Sequence, residues 1–206
     1  MDTQTPNILN APTERSELSH FKDSVPTQND NFLPGATVIY GMLGKCTIVS
    51  FESKKLGDED VNFYKLQVQK SSLSRSSRQD PAIWVPMNTA RQRGLRFQMS
   101  AEEASAVLGI FSNREYYFNL SETWSTVQKK LEACICEEGA SGLAKVSSFL
   151  FVLKKKQIVL SSEVARLHEA VNKLLLRELS EITGEPVKLL EERITKSVKQ
   201  KLLPDV

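Results

Sequence analysis

Apolar and polar residues change rhythm twice along this chain. Residues 1–31 are rich in Asn, Thr, Ser, Gln, Pro and Asp, and their apolar side chains recur at no fixed interval, which predicts a flexible tail. At Phe32-Leu-Pro-Gly35 a turn signal leads into Ala36-Thr-Val-Ile-Tyr40, then Gly41-Met-Leu-Gly44, then Cys46-Thr-Ile-Val-Ser-Phe51. Lys54-Lys-Leu-Gly-Asp58 reads as a polar turn, and Asn62-Phe-Tyr-Lys-Leu-Gln-Val-Gln69 alternates with a period of two. Ile83-Trp-Val-Pro86 is a further short strand after a Ser/Arg-rich loop. Such strands, with no helical period between them, predict a small, strongly bent sheet closing into a barrel over residues 32–97.

Beyond Gly94-Leu-Arg96 the apolar interval lengthens to three and four. Ser100 followed by Ala-Glu-Glu has the composition of a helix start, with Ala104, Val107, Leu108 and Phe111 on one face. A second helix is expected over about 121–136, carrying Trp124, Val127, Leu131 and Ile135, and a third holds Leu143, Val146, Phe149, Leu150 and Leu153. The fourth starts at the cap Ser161-Ser-Glu163, continues through Val164, Leu167, Val171, Leu174, Leu175 and Leu179, and stops near Thr183-Gly184. Pro186 opens a fifth with Val187, Leu190, Ile194 and Val198. The fold class expected is α+β: an N-terminal small β-barrel followed by a compact all-α domain of about five helices over residues 98–206.

The chain has 206 residues, with 27 Lys+Arg against 25 Asp+Glu for a net charge of +2, so no global field draws it to nucleic acid. The longest strongly apolar run, Phe149-Leu-Phe-Val-Leu153, is followed at once by Lys154-Lys-Lys156 and is too short to cross a bilayer. The first thirty residues lack the basic start and apolar stretch of a secretion signal, so a cytoplasmic protein without membrane association is expected. Its three cysteines, Cys46, Cys134 and Cys136, do not make a disulfide framework.

Chemistry-bearing patterns are sparse. There is no phosphate-binding loop, nucleophile elbow or dinucleotide fingerprint, so an enzyme is not expected, nor any cofactor. His20 lies in the tail and His168 reads as a helix packing or surface residue. Cys134 and Cys136 are two apart on a helix and so point about 200° apart, which excludes a helical metal clip. Lys70, Arg75, Arg78, Arg91, Arg93 and Arg96 face a single acid, Asp80, and form either a solvated rim or a contact for phosphate or an acidic surface. Trp124 has two placements: core, by its spacing to Val127 and Leu131, or projecting from the bundle end as a wedge beside Lys129 and Lys130. Spacing does not choose between them.

The series Leu33-Pro-Gly-Ala-Thr-Val-Ile-Tyr40 with Gly44, Phe63-Tyr-Lys-Leu-Gln-Val68, Val85-Pro86 with Ala90, and Gly94-Leu-Arg96 resembles the CarD/CdnL family of bacterial transcription regulators. Downstream the resemblance continues through Trp124-Ser125, Lys129, Leu160-Ser-Ser-Glu163, Ala170, Leu174 and Glu178, covering about residues 32–183. It implies a Tudor-like (SH3-like) RNA-polymerase-interacting domain that docks by strand addition on the lobe of the polymerase β subunit. It also implies a helical domain that contacts promoter DNA weakly, within the polymerase complex, at the upstream edge of the open bubble. Carried over, the polymerase-binding residues are Lys54, Leu56, Ile83 and Trp84, and the DNA-binding residues are the minor-groove wedge Trp124 and the phosphate contact Lys129. The chain departs from the family at Trp84, where Arg is frequent, and at Thr126 and Val127, where basic residues often follow the wedge. The loop from Lys70 to Pro81 is longer than usual, and the first thirty residues have no counterpart. The function expected is that of a monomeric, cytoplasmic regulator, at the nucleoid through the polymerase, that stabilises the open complex. The alternative is a protein-interaction adaptor with no DNA role.

Overall fold

A computed structural model describes residues 32–69, 82–113, 115, 118, 122–155 and 162–202. The expected tail, the Ser/Arg-rich loop from Lys70 to Pro81, His20, Lys156 and the expected helix-start residues Ser121 and Ser161 lie outside the described residues.

Strands β1 (Thr37–Tyr40), β2 (Gly44–Leu56), β3 (Glu59–Val68), β4 (Ile83–Pro86) and β5 (Leu95–Arg96) form one antiparallel sheet in the order β4-β3-β2-β1-β5. The sheet is open, with β4 and β5 at its edges, and closure into a barrel is not among the described pairings. Val38, Cys46, Ile48, Leu66, Val85 and Leu95 fill its inner face, with Phe32 and Tyr64 meeting edge to face beside them. Pairing of β2 with β3 shifts between Ile48 and Ser50, leaving Val49 as an extra, exposed residue. Such a bulge bends the strand and resets which side chains face inward. After it Phe51 packs on the inner cluster, while Glu52 and Lys54 lie on the outer face. The polar turn expected from Lys54 begins later: Lys54, Lys55 and Leu56 belong to β2, and the reversal falls at Gly57–Asp58, with Gly57 at φ 67°. The hairpin end is exposed, so its side chains carry no inside–outside alternation to reveal the strand.

Among the described residues the helices that follow are α1 (Ala101–Ile110), α2 (Trp124–Lys155), α3 (Ser162–Thr183) and α4 (Val187–Lys201). Ser100 and Glu103 close a reciprocal cap on α1, each side chain bonding the other's backbone N–H. The second and third helices expected are the two helical arms of α2, which meet at a residue with non-helical backbone, Gly139 (φ 59°, ψ −119°). That left-handed φ is costly for any residue with a Cβ. Three residues on, a Cβ added to Gly142 would fall on the Cys134 carbonyl and 3.1 Å from Ile135 Cα, so the arms double back with their backbones in contact. Phe111, Leu131, Leu143, Leu150, Leu175, Leu179, Leu190 and Ile194 form the fully buried centre of the bundle. Lys201 ends α4 inside the protein, where its ammonium donates to the Glu115 carbonyl (2.7 Å) and Ser148 Oγ (3.3 Å), and burial lowers its pKa. His168 is 7% exposed with Phe151 edge-on at 4.6 Å, and burial, then the nearby Lys154 charge, holds its pKa below the ordinary 6.5.

Two outcomes follow from this packing. Gly142→Ala is expected to lower the unfolding free energy by about 3 kcal/mol in urea titration, because neither helix backbone can retreat without opening the corner. His168 binds a proton more readily unfolded than folded, so its contribution is full above pH 6.5 and is lost as pH falls below it toward the folded value. Stability measured at about pH 7.5 and about pH 5.5 is therefore expected to drop less in His168→Leu than in the wild type.

Candidate functional site

The hairpin β2–β3 and edge strand β4 bring residues distant in sequence onto one outer surface. Lys65 pairs directly with Trp84 across β3 and β4, and the pleat puts both on the same side. Glu52 lies at the centre of this group: its carboxylate accepts from Lys65 Nζ at 2.8 Å and from Trp84 Nε1 at 2.7 Å, with Lys54 Nζ at 3.8 Å. Lys54 also stands over the Trp84 ring, 3.5 Å from its centroid. In this partly exposed setting a cation–π contact is worth about 0.5–1 kcal/mol, enough to bias the rotamers of both side chains. The hydrogen bonds from Lys65 and Trp84 hold the Glu52 carboxyl below the ordinary carboxylate pKa. Trp84 remains 40% exposed, so the indole is oriented without being enclosed.

The residues expected to dock separate into three situations. Lys54 and Trp84 meet face to face; Leu56, 67% exposed, ends β2 at the hairpin tip; Ile83 turns to the other side and packs against the inner cluster. β4 pairs with β3 alone among the described residues, leaving its second edge without a ladder partner. Glu52 and Lys65, which complete the group, were not singled out in the sequence. Period-two spacing places Glu52 with Lys54, but only the register connects them to Trp84.

No family model matches the chain, and no curated protein matches it either. Trp124 opens α2, is half-buried and packs against the helical core. Its indole N–H is enclosed and has no hydrogen-bond partner among the described residues. The ring is therefore not bare, and the spacing to Val127 and Leu131 corresponds to contact with the bundle. Lys129, exposed, is five residues further on and so points about 140° away around the helix. Lys130 bonds both Glu122 carboxylate oxygens, at 2.6 and 2.7 Å.

Of the basic run ending at Arg96, three members are described, and they do not form one face. Arg91 lies 5.3 Å from the Phe32 ring, Arg93 donates to Thr89 Oγ1, and Arg96 is paired with Glu178. The thiols are poor nucleophiles: burial pushes Cys46 up to about 11, and burial followed by the Glu138 charge pushes Cys134 up to about 12. Among the described residues no group of three His, Cys, Asp or Glu side chains is placed to hold a metal ion, and no helix is long and apolar enough to cross a membrane.

The lowered Glu52 pKa fixes the sign of an acid titration. Its pairing is expected to be complete above the ordinary carboxylate value of 4.5 and lost only as pH falls through the lower folded value. In a Trp124→Phe background, Trp84 emission is expected to stay constant down to that pH and then shift. Glu52→Gln abolishes the shift; a transition at or above 4.5 contradicts the arrangement.

Proposed function

We propose that the protein is a transcription regulator that docks on the β-subunit lobe of RNA polymerase and stabilises the promoter open complex. The observation that carries this reading is the convergence of Lys54 and Trp84, assigned to a docking surface by sequence resemblance, on one exposed group beside the edge of β4 that has no ladder partner among the described residues. A short edge strand can accept a partner strand through main-chain hydrogen bonds, and the flanking side chains then set which partner is accepted. In this reading the bent open sheet is the counterpart of a Tudor-like polymerase-interacting barrel, and Trp84 supplies a stacking or apolar contact where the family frequently uses Arg. At the other end of the task, Trp124 would contact the minor groove at the upstream fork and Lys129 a phosphate. Binding the distorted junction better than closed duplex is what shifts the equilibrium toward the open complex.

One observation favours the alternative of an adaptor without a DNA role: Trp124 is half-buried and its N–H enclosed. A ring held this way reaches DNA only if the first turn of α2 rearranges on binding. Two measurements separate the readings. Capture of the isolated β-subunit lobe is expected to weaken in Lys54→Glu and Trp84→Ala; if neither weakens it, the docking surface is elsewhere. Open-complex lifetime is expected to shorten in Trp124→Ala while lobe capture persists. An unchanged lifetime in folded, captured protein leaves the adaptor.

A further inference from the structure

Gly94-Leu-Arg96 and Glu178 belong to the resembling series, yet neither the docking surface nor the helix tip uses them. They are 82 residues apart and meet in a bidentate pair: Arg96 Nη1 donates to Glu178 Oε1 at 2.7 Å and Nη2 to Oε2 at 2.6 Å. Both are largely buried, with side-chain exposures of 17% and 5%. Part of their remaining capacity is also used, since Glu178 Oε1 accepts from the Met99 backbone N–H at 2.9 Å and Arg96 Nη1 donates to the Phe97 carbonyl.

The surroundings are shaped to this pair. Arg96 leaves the sheet edge at β5 and passes the corner of α2, where a Cβ on Gly139 would stand 2.8 Å from its Cδ, before reaching α3. One turn along α3, Glu181 accepts from Lys45 of β2 (2.8 Å) and from Gln98 (3.0 Å). A Cβ on Gly44 would meet Leu174 of α3 at 2.7 Å. One guanidinium thus touches the sheet, the break between the arms of α2, and α3.

We propose that Arg96 and Glu178 are positioning residues that clamp the sheet to the helices, so that a grip on the polymerase at one end fixes where the start of α2 is held at the other. The functional half of this inference rests on the reading above, and the mechanical half stands without it. A fork held at both oxygens fixes angle as well as distance, which a single ion contact does not.

The two tryptophans, Trp84 in the sheet and Trp124 in the helices, allow each part to be followed separately in the full chain. Urea unfolding of Trp124→Phe reports the sheet and that of Trp84→Phe reports the helices. With Arg96 intact their midpoints are expected to coincide; with Arg96→Gln added to each, they are expected to separate. In otherwise wild-type protein, Arg96→Gln is expected to leave lobe capture unchanged and shorten open-complex lifetime roughly tenfold, because position rather than grip is lost. Should Arg96→Gln not fold, Arg96→Lys, which keeps the charge and loses the fork, replaces it with the same expectations. Midpoints that stay coincident in the substituted protein overturn the clamp. A lifetime that falls only in proportion to the folded fraction reduces the pair to a structural contact and overturns the positioning role. If wild-type protein does not capture the lobe, the polymerase reading fails while the unfolding midpoints still decide the clamp.

Discussion

Burying an arginine and a glutamate is costly, and the fold is organised around meeting that cost. The attraction between two buried charges offsets their lost hydration only when geometry is good and every remaining donor and acceptor finds a partner. For Arg96 and Glu178 this requires the fork to be complete and the Met99 N–H and Phe97 carbonyl to be in place. Removing one member of such a pair typically costs about 3–5 kcal/mol, comparable to much of a domain's net stability. The positions of β5, the segment entering α1, the corner of α2 and the C-terminal part of α3 are therefore set together. Glycine at 139 and 44 answers the same demand, since side chains there would occupy the space of Arg96 and Leu174.

The outer surface of the sheet follows the opposite economy. Glu52, Lys54, Lys65 and Trp84 remain in contact with water, and each contact among them is individually weak. Their effect is orientation: a carboxylate aligns the indole edge, an ammonium covers part of its face, and edge strand β4 carries the indole beside them. A surface arranged in advance loses less side-chain freedom when a partner arrives.

Much of the secondary structure was legible where a local signal is self-sufficient. The Ser100 cap, the stop at Thr183-Gly184 and the restart after Pro186 involve residues within a turn of each other. The length of β2 was not legible, because Lys54 to Leu56 pair in the exposed hairpin without alternating burial. The break in α2 was legible, since the helical spacing lapses between Ile135 and Leu143, where Gly139 takes a non-helical backbone. The candidate site divides the same way. Resemblance singled out Lys54 and Trp84, which do meet, and grouped with them Ile83, which strand parity sends to the core. Glu52 was missed because its partners lie on other strands. Arg96 and Glu178 were noticed without a role, since only tertiary structure makes them neighbours.

The break at Gly139 has a mechanical side. Trp124 starts the arm that ends there, so at 1.5 Å of rise per residue the indole sits about 22 Å from the pivot. On a lever of that length a tilt of about 10° at the corner would carry the ring about 4 Å, more than the thickness of an aromatic stack. Burial of Val127, Leu131 and Ile135 along that arm is therefore what holds the tip in place.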